Sequence, residues 1–131
     1  MPYDIDPTRR LVVWTHAAAE PAGVWTRTLE QILADPLFAP GFRIIEDLRD
    51  DPDSPESSDV RKGVVTIRRL RERLGRCRWA VLLRPESLAT YGMLRMAEML
   101  LDDASVTLRP FIDMADALAW VSESGASESM D

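Results

Sequence analysis

Cysteine and histidine are almost missing from this chain: Cys77 and His16 are the single examples of each among 131 residues. A lone cysteine cannot form an intrachain disulfide and fits a reducing compartment, so a cytoplasmic location is expected. One histidine and one thiol are too few for a zinc site, and neither stands in a recognisable nucleophile–base arrangement. Glycine is also sparse. Gly23, Gly41, Gly63, Gly75, Gly92 and Gly125 are scattered and build no phosphate-cradling loop. No apolar run approaches the ~18–20 residues of a membrane-spanning helix. Met1-Pro2-Tyr3-Asp4 carries no basic stretch followed by an apolar one, so no secretion signal is read there. The expectation is a protein without catalytic residues, metal, cofactor or transmembrane segment, and not an enzyme.

What the chain does contain is ordinary for one globular domain, with 46% apolar and 29% charged residues. Charge is distributed unevenly. The net is −6, yet Arg61 to Arg78 holds eight basic residues and one acid, a local +7 that leaves −13 elsewhere. General attraction to nucleic acid or anionic lipid is therefore not expected, whereas a local electrostatic role is.

Periodicity and punctuation give the order of elements. Asp6-Pro7-Thr8-Arg9 reads as a turn between a short strand, Tyr3–Ile5, and a longer one, Arg10–His16. Pro21 suits the first turn of a helix on which Val24, Trp25, Thr28, Leu29, Ile32 and Leu33 recur, ending at Asp35-Pro36. Phe42–Ile45 is a short strand after the Pro40-Gly41 turn, and Asp47–Ser58 is a loop. Ser58 is placed to cap a helix with an apolar stripe Val60, Val64, Ile67, Leu70 and Leu74, which Gly75 ends in a left-handed cap. Arg71 projects onto that stripe, so it should snorkel or pair with a buried carboxylate. Trp79–Leu83 is a strand. A helix follows from Ser87 or Thr90 to about Asp103, then a strand Val106–Phe111 that Pro110 assigns to an edge or an end. Asp113 caps a last helix with Ala117, Leu118, Trp120 and Val121. Residues 1–121 form one domain with the order ββαβαβαβα and a mostly parallel sheet flanked by helices, an α/β fold. Residues 122–131 are rich in serine and acid and are expected to be a disordered tail.

Three segments then carry a family resemblance. GFRIIEDLRD (Gly41–Asp50), TYGMLRMAEML (Thr90–Leu100) and LRPFIDMADALAWV (Leu108–Val121) resemble the SpoIIAA-like family of bacterial STAS/Sec14-type (CRAL-TRIO-type) domains. Asp47, Leu48, Arg49, Tyr91, Gly92, Arg95, Met96, Phe111 and the run Ala117–Trp120 carry the match. The resemblance implies a SpoIIAA-like α/β fold and two functional directions, antagonists that act through protein contacts and carriers of lipid-like ligands. The antagonists bear a phosphorylated serine in Asp-Ser-(Ser/Thr)-Gly at a helix start. Here Glu56-Ser57-Ser58-Asp59 lies at a similar place, with acids standing for the first and last residues. Ser57 and Ser58 are the corresponding phosphoacceptor candidates, although the flanking acids oppose a phosphate and a plain helix cap is the simpler role.

The remaining candidates follow from chemistry. His16 is expected to be a satisfied or exposed strand residue, and Cys77 a small buried hydrophobe. The acids Asp47, Asp50, Asp51, Asp53, Glu56 and Asp59 lack calcium-loop spacing and read as a solvated loop. Leu88–Leu101 carries Tyr91, Met93, Leu94, Met96, Met99, Leu100 and Leu101 almost all round, so its second side should meet a subunit, a ligand or a neighbouring helix. In parallel sheets ligands gather at the carboxyl ends of strands. Asp47, Arg49, Arg84, Tyr91, Arg95, Met96 and Met99 are accordingly the candidate ligand-binding set, with Arg49 and Arg95 as anion holders. The expected function is a non-catalytic interaction or regulatory module, homodimeric and working with an unidentified protein partner. The alternative is a carrier or sensor of a small amphipathic ligand.

Overall fold

In a computed structural model, the described residues are 2–16, 23–50, 57–86, 88–101 and 105–123. The order is β1 (Tyr3–Asp6), β2 (Leu11–Thr15), α1 (Val24–Ala34), β3 (Arg43–Asp47), α2 (Ser57–Arg69), α3 (Arg71–Leu74), β4 (Cys77–Leu82), α4 (Leu88–Leu100), β5 (Val106–Phe111) and α5 (Met114–Val121). The five strands form one mixed sheet in sequential order, β1 antiparallel to β2 and all other pairs parallel. The turn joining β1 to β2 is held by Asp6, whose Oδ1 accepts from the backbone N–H of Thr8 and Arg9 at 3.0 and 3.2 Å.

Sequential parallel neighbours joined by crossovers of one hand put their helices on one side of a sheet. Here α1, α2 and α4 pack on the same face. Leu29 and Ile32, Val64 and Ile67, and Leu94 and Leu101 meet Val12, Trp14, Ile44, Trp79, Val81 and Leu108 in the larger core. Among the described residues helix α5 alone covers the other face, where Ala117, Trp120 and Val121 pack on Leu11, Ile45 and Ala80. Asp113 is its N-cap, Oδ1 accepting from the N–H of Ala115 at 2.8 Å. The strand β5 is a sheet edge, which suits Pro110 and its missing donor.

Two expectations are corrected. The basic helix is not continuous to Gly75, because it breaks at Leu70 and restarts as the single turn α3. The break takes Arg71 off the apolar stripe and leaves it exposed, and no carboxylate of the described residues pairs with it. Gly75 does end the segment at positive φ, but at φ 68°, ψ −156° rather than in a left-handed helical cap. The region is essentially glycine-only, and space is short as well: a β-carbon there would lie 2.8 Å from the backbone nitrogen of Gly41. The helix α2 starts at Ser57, one residue before the expected cap, and β3 runs two residues beyond Ile45. The expected helix start at Pro21, half of the Asp47–Ser58 loop and nearly all of the tail lie outside the described residues.

Candidate functional site

At the carboxyl ends of β4 and β5, α4 and α5 approach from opposite faces of the sheet and leave an open cleft of about 510 Å³. Arg84 and Pro85 come from the turn after β4, Tyr91 and Arg95 from α4, Arg109 to Ile112 from β5 and beyond, and Asp116 from α5. Among the described residues, three guanidinium groups thus share one lining with a single carboxylate, inside a chain whose net charge is −6. Tyr91, Phe111 and Ile112 add apolar area, and Ile112 is 53% exposed.

Each arginine is held by a different contact. The Nε of Arg84 donates to the backbone carbonyl of Arg49, tying the turn after β4 to the turn after β3. Its terminal nitrogens have no protein partner among the described residues. The guanidinium of Arg109 lies over Trp120 of α5, 5.1 Å from the ring centroid, a cation–π contact that stiffens it without neutralising it. Arg95 meets Glu98 at 3.4 Å in an i,i+3 pair between an exposed guanidinium and a half-buried carboxylate, longer than a normal hydrogen bond.

The sequence-derived candidates separate into three groups. Arg84, Tyr91 and Arg95 come together in the cleft. Asp47 and Arg49 close on each other instead: Arg49 donates through Nε at 3.1 Å and Nη2 at 2.9 Å, and its backbone N–H reaches Oδ1 at 3.0 Å. Burial alone would raise the Asp47 carboxyl, but these hydrogen bonds and the nearby positive charge outweigh it and hold the group below its usual range. Hydrogen bonding to Asp47 likewise raises Arg49. Met96 and Met99 do not line the cleft, and Met99 is 77% exposed elsewhere on α4. Ser57 and Ser58 occupy the first turn of α2, and their side chains lie outside the described set.

Arg109, Phe111, Ile112 and Asp116 were not among those candidates. A signal for two of them was available, since alternation along Val106-Thr107-Leu108-Arg109-Pro110-Phe111 puts Arg109 and Phe111 opposite the face that buries Val106 and Leu108. A second assembly had no such signal. Glu46 is buried beneath the helix layer with both oxygens engaged: Oε1 accepts from Trp79 Nε1 at 3.0 Å and Oε2 from Trp25 Nε1 at 2.8 Å. Nε2 of His16 is also 2.8 Å from Oε2, and the imidazole stacks on Trp14 at 4.8 Å between centroids. Trp14, Trp25 and Trp79 in turn stack or tilt against one another at 5.7–6.3 Å. His16 is therefore a core residue at 4% exposure, its Nε2 set against the Glu46 carboxylate. Cys77 is buried and its thiol is pushed up to about 12 by loss of solvent, which makes it unreactive.

Comparison with protein-family models, with curated proteins and with solved structures finds no match for this chain.

Proposed function

We propose that this chain is a non-catalytic binding module whose cleft beside β5 takes a small anionic amphipathic ligand. One observation carries the reading, the convergence of Arg84, Arg95 and Arg109 on a cleft floored by Tyr91, Phe111 and Ile112. A ligand with one phosphate, sulfate or carboxylate would place it among the guanidinium groups, which hold such anions by forked hydrogen bonds. Its apolar portion would cover Phe111 and Ile112. The lipid-carrier branch of the SpoIIAA-like resemblance agrees with this reading, and the interaction-module branch places function on protein contacts instead.

Native mass spectrometry of freshly purified protein reports a retained ligand directly. Calorimetric titration with decyl phosphate tests the chemistry, with decanol as the neutral control. Binding is expected for the phosphate alone, and Arg84→Ala and Arg109→Ala should each weaken it about tenfold, the loss of one charged hydrogen bond. Equal affinity for decanol, or an unchanged affinity in the Arg84→Ala/Arg109→Ala double variant, refutes the site. Thermal melts of both variants verify that the fold is retained.

A further inference from the structure

A second surface lies on the outer side of the helix layer. Strand order places α2 between α1 and α4. Gly63 marks the α1 side, since a β-carbon there would stand 3.7 Å from the Trp25 ring. The opposite flank of α2, carrying Arg61 and Val65, therefore turns towards α4, with which α2 packs. On α4 the flank bearing Tyr91 and Arg95 faces the cleft, so Met93, Met96 and Leu100 turn towards α2. Along this seam Val65 is 66% exposed and Leu100 42%. These are two of the six large hydrophobic side chains exposed among the described residues, and the two helices bring them to one side.

The border of the strip is basic. Arg61, Lys62 and Arg69 stand at −4, −3 and +4 from Val65, the positions that surround it on a helix, and all three are exposed. No carboxylate of the described residues forms an ion pair with them.

From this we infer that the α2–α4 seam docks an acidic amphipathic helix of another protein, a function separate from the cleft. Two packed helices offer a groove that receives an apolar stripe at i, i+3 or i+4, and i+7. Methionine at the groove adapts to such a stripe. Acids flanking the stripe would meet Arg61, Lys62 and Arg69, which sets orientation and speeds encounter. A second copy of the chain fits less well, because a two-fold contact through this strip sets the same basic residues against themselves. An anionic bilayer also fits less well, since everything outside Arg61–Arg78 carries −13 and is repelled.

The test is selection of a phage-displayed library of helix-patterned peptides on the full chain, with Val65→Asp/Leu100→Asp as the counter-target. Enriched peptides should combine an i, i+3/i+4, i+7 apolar stripe with flanking Asp or Glu. A synthetic copy of the best should lose about tenfold in affinity in the double variant, and again when Arg61, Lys62 and Arg69 are replaced by Gln. Four results would overturn the proposal: no enrichment over the counter-target, enriched peptides without acids, a dimer in light scattering that the double variant converts to monomer, or sedimentation with phosphatidylserine vesicles that the double variant abolishes. Circular dichroism of the variants guards against a folding defect.

Discussion

Replacing Glu46 by Leu should cost more stability than any other conservative change in volume at the sheet. The carboxylate accepts from two indole N–H groups, Trp25 at 2.8 Å and Trp79 at 3.0 Å, in a site where Glu46 itself is 5% exposed. Leucine leaves both donors without an acceptor, and each stranded donor costs about 1–3 kcal/mol. The expected loss is thus about 2–6 kcal/mol, against a total stability of about 5–15 kcal/mol for a typical domain. For a chain of this length about 3–5 °C of midpoint is lost per kcal/mol, so melting should fall by roughly 6–30 °C. Gln is the informative control. Its carbonyl can still accept from one indole, while its amide presents a donor to the other, so the loss should lie between wild type and Leu. Urea unfolding followed by tryptophan fluorescence measures all three proteins, and Trp25→Phe in each background completes a double-mutant cycle. Coupling between Trp25 and Glu46 should be about 1–2 kcal/mol. A Leu variant melting within 2 °C of wild type (about 0.5 kcal/mol), or a Trp25→Phe cost that is the same with and without the carboxylate, would refute this account of the core.

Gly75→Ala should destabilise by about 2–4 kcal/mol, because the residue holds φ 68°, ψ −156° and its β-carbon would lie 3.0 Å from Pro40 Cβ; Gly23→Ala, also at positive φ but with open space around it, should cost less in the same thermal melt. Asp47 makes a pH-dependent contribution of known sign. Its folded carboxyl sits below the unfolded value, so its stabilisation is complete above the unfolded carboxylate range and is lost as pH falls through the folded one. Urea midpoints of wild type and Asp47→Asn should therefore differ at pH 7 and converge in strong acid; a gap that widens on acidification would reverse the assignment. Cys77 should react with an aromatic disulfide reagent only in denaturant, since burial pushes its thiol up to about 12; rapid reaction of the native protein would contradict its placement.

Local chemistry made much of the architecture readable before any coordinates. Proline and glycine punctuated the chain, Asp113 announced its helix, and Pro110 assigned β5 to an edge where it does stand. The Arg71 expectation failed because helical projection assumes an unbroken helix, and the break at Leu70 resets the phase of everything after it. The cleft was half legible. Arg84, Tyr91 and Arg95 follow a strand end or lie on an unusually apolar helix, and Arg109 follows from strand alternation, all visible locally, whereas Asp116 joins them only because α5 lies on the opposite face.

What the sequence by itself determined is the succession of strands and helices, the capping of α5, the absence of disulfide chemistry and the separation of charge, all properties of neighbours along the chain. The tertiary structure decided the rest. Strand order set which helices lie side by side, and so made a seam of Val65 and Leu100 and a cleft of three arginines. It also brought Glu46 from β3 against Trp79 of β4, Trp25 of α1 and His16 just after β2. No periodicity encodes that meeting, because the residues are up to 63 positions apart and the carboxylate finds its donors only when the helix layer closes over the sheet.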